Sequence, residues 1–342
     1  MRESGKIDWE QFRRSGEWLE LPLETLEGIA STSSMSESEA ERDSSAELPA
    51  LRAGSHPHHV RQWLLALSLF PEKWMNRLFS VRGIQFVDGV IRLRTFLHAD
   101  VEKEPIYRLA KLPPGSTERA ASVLFEDDWC LVLDKPSGMP VHPSAAGQRG
   151  TLDEAAARHC LMNGDPQSVK HIHRLDDDTS GPVLYAKNDL AQQRLDAAMR
   201  QKTIERHYAA IVQGKLLRRR GTIDEPIGKD RHHGARRRVS NTGDHAVTHY
   251  EVVEAYRTAS LVRLQLETGR THQIRVHMSH LGHPLVGDTL YGGSSRYLNH
   301  QALRGELLVF PHPLTGAPVT VAAPEPQWFA KVREELGAHK NS

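Results

Sequence analysis

His171-Ile172-His173-Arg174-Leu175-Asp176-Asp177-Asp178-Thr179-Ser180-Gly181 is the most informative stretch of this 342-residue chain. It is an apolar-flanked segment that ends in a polar turn closed by glycine. Adjacent carboxylates repel each other, so any of the three that is buried needs a cation partner. A solvated acidic turn and a divalent-metal loop are the plain alternatives, but the calcium-loop pattern D-x-[DN]-x-[DN]-G is not met. Leu175 is a candidate apolar wall for Asp176, which spacing alone does not establish.

Working outward, Val183 to Ala186 reads as a strand and Leu190 to Gln201 as a helix. Upstream, Val123–Phe125 and Cys130–Leu133 are strand-like, and Thr151 to Met162 is a helix. Thr151 is its N-cap and Glu154 stands three residues on, a capping box. Downstream, Ile204 to Val212, Ala246 to Tyr256 and Ser260 to Leu266 are strand-like again. Strands outnumber helices and few strand–helix–strand units recur. That favours an α+β domain with a mixed, largely antiparallel sheet over a doubly wound parallel one.

Pro113-Pro114-Gly115 punctuates the boundary before this domain. From His59 to Leu67 and from Trp74 to Phe79 the apolar spacing is helical. Ile84–Val87 and Val90–Leu93 follow as two short strands around Asp88-Gly89, a hairpin signal. We expect a small α+β module over 56–112, either an RNA-binding unit or a structural cap. Residues 28–46 are rich in Ser, Glu and Ala and too poor in apolar side chains to offset their ordering entropy. Residues 1–55 therefore read as an acidic, largely disordered segment and linker, with a short docking helix the expectation for the apolar residues between Trp9 and Leu23.

The chain is 39% hydrophobic and 25% charged. It has no apolar run long enough to span a membrane and no signal-peptide stretch after its first residues. Cys130 and Cys160 form no C-x-x-C, which excludes a disulfide scaffold and a cysteine-based zinc module. A reducing, cytoplasmic location is expected. Residues 1–54 carry 12 acidic and 6 basic side chains, and the remainder 38 basic and 31 acidic. The basic groups cluster at Lys215–Arg220 and Lys229–Arg238, runs that suit a phosphate backbone or simply a solvated loop. His56, His58, His59, His232 and His233 lack carboxylate or cysteine partners at zinc-site spacing, so no metal is expected. Neither G-x-x-x-x-G-K-[ST] nor G-x-G-x-x-G occurs, which leaves nucleotide hydrolysis and dinucleotide redox chemistry unsupported.

His173-Arg174-Leu175-Asp176-x-x-Thr179-Ser180-Gly181 resembles the catalytic motif of the RluA-type pseudouridine synthases. Asp134 to Pro143 resembles that family's first motif, and Leu266 to Met278, continuing through Gly287-Asp288 to Tyr291-Gly292, its third. The three blocks stand in the family's order, and the resemblance spans residues 117–337, the expected catalytic domain.

The resemblance implies isomerisation of uridine to pseudouridine in structured RNA, ribosomal or transfer RNA, without a cofactor. Asp176 is then the essential carboxylate. Attack on the ribose, assistance to a glycal-like intermediate, and addition to the uracil ring all remain open. Arg275 is implied to pair with Asp176. Tyr208 is implied to stack on the target base and to help remove its proton. Arg174 is implied to fill the gap left by the flipped base, and Ile274 to line the wall beneath uracil. Thr179 and Arg236, Arg237 and Arg238 complete the expected substrate contacts. Arg206 departs from the family's usual lysine, so no role is assigned to it. His173, His272 and His277 are expected to make structural hydrogen bonds. The alternatives are an RNA-binding or chaperone protein on the same scaffold, and an N-glycosidase that releases the base.

Overall fold

Gly181-Pro182-Val183-Leu184-Tyr185-Ala186 is buried at every position, which marks a strand covered on both faces. In the computed structural model, which describes residues 8–27, 51–52, 54–115 and 119–338, it is a central strand. It is β8 in a four-stranded antiparallel sheet ordered β5-β6-β8-β7. The other members are β5 (Ser122–Glu126), β6 (Cys130–Lys135) and β7 (Lys170–His171). A second antiparallel sheet has six strands, ordered β10-β13-β14-β9-β15-β16. These are β9 (Glu205–Gln213), β10 (Arg220–Asp224), β13 (Val247–Ala255), β14 (Ala259–Leu266), β15 (Leu303–Pro311) and β16 (Pro318–Ala322). A two-stranded hairpin, β11 (Ile227–Lys229) with β12 (Arg237–Val239), stands apart from both.

The period-two pattern of β9 decides how the layers stack. Tyr208, Ala210 and Val212 face one way and share a core with Leu131, Leu133, Val183 and Tyr185 of the smaller sheet. Ala209 and Ile211 face the other way, against Phe329, Val332 and Leu336 of the C-terminal helix Gln327–Ala338. Each such large aliphatic side chain contributes about 1.5–3 kcal/mol by leaving water.

The two sheets join at one close crossing. Ser180 and Arg304 form a parallel bridge, and the Gly305 amide donates to the Ser180 carbonyl at 2.7 Å. Gly181 has φ +128°, and a Cβ there would lie 2.7 Å from the Gly305 backbone. Only glycine fits, for reasons of both conformation and space. The strand therefore leaves the acidic turn in a single geometry.

The small module matches its expected helices and hairpin closely. α1 (Pro57–Ala66) and α2 (Glu72–Ser80) precede β3 (Ile84–Val87) and β4 (Val90–Arg94). Asp88 and Gly89 both have positive φ, as a two-residue turn with the strands' twist requires. The N-terminal segment differs from expectation. Residues 13–22 form no helix but a second hairpin, β1 (Arg13–Ser15) and β2 (Trp18–Pro22), with β2 paired to β4. Leu19 and Leu21 are buried, whereas Trp18 and Glu20 are only partly so, an alternation with the period of a strand. The Ser- and Glu-rich stretch expected to be a linker lies outside the described residues.

The module is tied to the larger domain. Arg14 donates to both carboxylate oxygens of Asp165 at 2.7 Å and to Asp128 at 2.9 Å, and its guanidinium covers the Phe96 ring. Phe96 in turn packs edge-on to Trp129. Among the described residues, no helix is long and apolar enough to cross a membrane.

The Gly181–Gly305 crossing yields a stability prediction. Gly181→Ala is expected to lose about 1–3 kcal/mol, the size of a strained backbone position. Gly164→Ala, also at positive φ but with open space around it, should lose less. Urea unfolding of the two variants side by side decides this, and equal losses would show that the crossing adds no steric constraint.

Candidate active site

The acidic turn between β7 and β8 is held from below by one buried cation. Lys135, at the end of β6, is wholly buried. Its Nζ donates to the carbonyls of Pro136 (3.1 Å), Met139 (2.6 Å) and Asp177 (2.6 Å). The Gly138 amide donates to the same Asp177 carbonyl at 2.9 Å. Within the turn, the Thr179 amide donates to the Asp176 carbonyl at 3.0 Å. These bonds engage the backbone and leave the carboxylates free. Asp177 points to solvent, which relieves the repulsion among three successive carboxylates, and Asp176 is half-buried.

Asp176 faces the N-terminal part of α6 (Gln273–His280; α3 is Pro105–Ala110, α4 Leu152–Met162 and α5 Asp189–Arg200). Arg275 Nη1 lies 3.4 Å from Asp176 Oδ2, and His272 Nε2 lies 3.9 Å from the same oxygen. The pairing expected from the sequence is present, but it is not Arg275's main one. Arg275 Nε and Nη2 grip the two oxygens of Asp288 at 2.7 and 2.9 Å. Burial works against the Arg275 charge, yet the Asp288 bonds together with the Asp288 and Asp176 charges raise its pKa above the ordinary value. The guanidinium also lies over the Tyr291 ring, 5.0 Å from its centre.

A cavity of about 590 Å³ opens beside these groups, within the range of about 300–1,000 Å³ common for small-ligand sites. Leu175, Tyr208, Ile274 and Leu303 form its apolar wall, and Arg174, Asp176, Thr179 and Arg275 its polar side. Burial raises the Tyr208 hydroxyl's pKa, with Asp176 adding to the effect and Arg206 opposing it. Arg206 also lines the cavity, and its guanidinium lies where a side chain at Gly269 would be. Its Nε has no hydrogen-bond partner among the described residues. Arg174 is exposed at the mouth, 3.5 Å from the Thr271 hydroxyl.

Six of the nine expected site residues thus line one cavity. Thr179 is nearly buried and also accepts from Gln301 at 3.4 Å, so part of its hydrogen bonding goes to holding the turn. Arg236, Arg237 and Arg238 do not line the cavity. They lie on β12 and just before it, where Arg236 covers the outer part of Tyr291, 5.5 Å from the ring centre. Sequence reasoning gave no role to Lys135, Asp288 or Tyr291, although all three lie inside the motif blocks. Asp288 carried a usable signal, since a carboxylate among apolar residues and glycines demands a cation partner.

His173 is fully enclosed, and burial, followed by the Arg206 and His171 charges, pushes its pKa down to about 3. It stays neutral and accepts the Leu184 amide on Nε2 at 3.3 Å. His277 bonds Thr248 and the Glu225 carbonyl, both at 2.9 Å.

A family model described as RNA pseudouridylate synthase matches residues 129–280. The uncharacterized RNA pseudouridine synthase YhcT of Bacillus subtilis is 50% identical over 206 residues, 60% of this chain and 68% of that protein. The ribosomal large subunit pseudouridine synthase D of Pseudomonas aeruginosa is 38% identical over 288 residues, 78% and 88% of the two chains. Among solved structures, human RNA pseudouridylate synthase domain containing 1 aligns with a TM-score of 0.52 at 25% identity. That alignment covers 66% of this chain and 98% of that one.

Lys135 gives the turn a pH signature. Burial pushes its ammonium down to about 8 from 10.5, against the attraction of Asp177, Asp178 and Asp176. Between those values the unfolded chain still holds a proton that the folded protein has released. By linkage, this group makes the fold more stable as pH rises through that window. The neutral amine meanwhile keeps two N–H groups for three carbonyls. Relative to Lys135→Met, the wild-type denaturation midpoint should climb above pH 8, while exchange of the Thr179 amide hydrogen quickens. Parallel pH profiles for the two proteins would remove Lys135 as the source.

Proposed function

The chain belongs to the RluA-type RNA pseudouridine synthases, isomerases of uridine in RNA, and from that premise we propose that Asp176 is its working carboxylate and ribosomal or transfer RNA its substrate. The observation that carries the assignment is the place of Asp176 in the lining of a cavity that Tyr208 and Ile274 also line. Asp176 faces Arg275 at 3.4 Å, longer than a charge-assisted hydrogen bond, which leaves a lone pair free for the substrate.

In the isomerisation the ribose C1′–N1 bond breaks, the uracil turns, C1′ bonds to C5, the C5 proton leaves to solvent and N1 takes one up from solvent. Atoms and electrons then balance without an oxidant. The flat apolar wall of Tyr208 and Ile274 suits a base that must rotate in place, because stacking holds a ring without fixing its in-plane angle. Arg174, exposed at the cavity mouth, would occupy the stack that the flipped uridine vacates, offsetting part of the few kcal/mol that flipping costs. Arg236, Arg237 and Arg238 would meet RNA phosphates beside the cavity, and the 56–112 module would extend that surface. The ribosomal assignment draws support from the name of the Pseudomonas relative.

Two measurements test this reading. Asp176→Asn should abolish tritium release from RNA labelled at uracil C5 while sparing folding and RNA binding. Wild-type binding without release from ribosomal or transfer RNA would favour a chaperone, and abasic product an N-glycosidase. Reversing Arg236, Arg237 and Arg238 to Glu should weaken RNA binding and flatten its salt dependence, by about one unit of slope for each phosphate left unneutralised. An unchanged slope would place the RNA elsewhere.

A further inference from the structure

Tyr291 stands where the β11–β12 hairpin meets the carboxylate site. The Arg237 amide donates to the Tyr291 hydroxyl oxygen at 2.9 Å. His272 Nδ1 lies 2.8 Å from the same oxygen. A backbone amide can only donate, so the tyrosine oxygen is the acceptor in the first bond. If His272 Nδ1 also donated, the hydroxyl proton of a buried tyrosine would be left without an acceptor. The hydroxyl therefore donates to Nδ1, and a neutral His272 carries its proton on Nε2. Burial, the largest influence on this imidazole, lowers its pKa and favours that neutral form. Nε2 is the nitrogen that faces Asp176 Oδ2 at 3.9 Å. Every bond in the chain runs in one direction, from hairpin amide to hydroxyl to imidazole, with the imidazole N–H aimed at the carboxylate.

Two further features fit a functional placement. His272 has φ +58°, a left-handed conformation uncommon for residues with a side chain, at the N-terminus of α6. Its ring meets Tyr291 edge-on at 5.7 Å and 87°, so its plane is set by packing as well as by the hydrogen bond. A separation of 3.9 Å is too long for a hydrogen bond. Active-site distances are often long in the free enzyme and tighten in the complex.

We propose that His272 is a positioning residue for Asp176, its Nε2–H closing onto Oδ2 when RNA is bound, with Tyr291 and the Arg237 amide fixing the tautomer that can do so. The inference rests on Asp176 being the working carboxylate. It also gives the hairpin a second role. The strand that bears Arg237 and Arg238 is joined to the catalytic carboxylate through two side chains, so phosphates held by the hairpin bear on the geometry of Asp176.

The test separates positioning from simple structure. His272→Asn puts an amide oxygen near the place of Nδ1 and tolerates the left-handed backbone, so it can still accept from Tyr291, but it cannot reach Asp176. His272→Gln extends an amide N–H to the place of Nε2. With tritium-labelled ribosomal and transfer RNA transcripts, His272→Asn should lower kcat about tenfold, the size of one hydrogen bond to a charged group. KM should stay unchanged, and His272→Gln should recover most of the activity. Nitrogen-15 spectra of the free wild-type protein should show His272 protonated at Nε2, and Tyr291→Phe should bring in the other tautomer. Wild-type kcat in His272→Asn, or an Nδ1-protonated His272 in the wild type, overturns the proposal. If the wild type releases no tritium at all, the isomerase reading fails, while the spectra still decide the hydrogen-bond chain.

Discussion

The site depends on a buried ion pair that serves geometry more than stability. Arg275 and Asp288 meet in a two-pronged contact, and both side chains are almost entirely out of water. Removing two charges from solvent costs several kcal/mol per ion, and even good pairing often returns no more than that. The gain lies elsewhere. A guanidinium held through Nε and Nη2 has one direction left for Nη1, and that direction is Asp176. The same grip lays the guanidinium over Tyr291, whose hydroxyl reaches His272 and the β12 backbone. One rigid pair thus orients the groups around the carboxylate without binding the carboxylate tightly itself.

The other face of the site is held by backbone bonds. Lys135 gathers three carbonyls, and the Gly181–Gly305 crossing sets the exit of the acidic turn. Neither device uses the side chains of Asp176, Asp177 or Asp178. A turn with three adjacent carboxylates would be unfavourable if its order came from its own side chains, because like charges at such spacing repel. Ordering the backbone from outside removes that conflict. The N-terminal module adds to the rigidity, since Arg14, Phe96 and Trp129 lock it against the larger domain at a distance from the cavity.

Much of this was legible in the sequence where local chemistry decides the outcome. Thr151 caps its helix by accepting from the Glu154 amide at 3.2 Å, and Asp88-Gly89 makes its hairpin. The antiparallel α+β class followed from the density of strands. What escaped was set by long-range contact. Leu19 and Leu21 read as part of a helix because five residues of strand carry too few alternations to outweigh nearby apolar neighbours. β15 and β16 were missed where glycine and proline interrupt the pattern, and β11 and β12, three residues each, are too short to leave one. At the site, Asp176 and Arg275 came from motif blocks, whereas the main partner of Arg275 required knowing that a turn after α6 brings Asp288 back to it. His272 reads, with His173 and His277, as a motif-block histidine expected to make structural hydrogen bonds. Its distinguishing partners are residues 96 positions before it and 19 after it.

The contrast between short and long distances around Asp176 is itself informative. The structural ion pair is held at 2.7 Å, while Arg275 and His272 stand 3.4 and 3.9 Å from Asp176. A carboxylate gripped by two prongs is low in energy and poor in reactivity, because its lone pairs are already engaged. Asp176 instead faces its cation at 3.4 Å with no two-pronged grip, which leaves an oxygen free. Such spacing needs neighbours that cannot collapse inward. Asp288 and Tyr291 supply that restraint by holding Arg275 and His272 from behind, so the arrangement around one carboxylate is fixed by residues that never touch it.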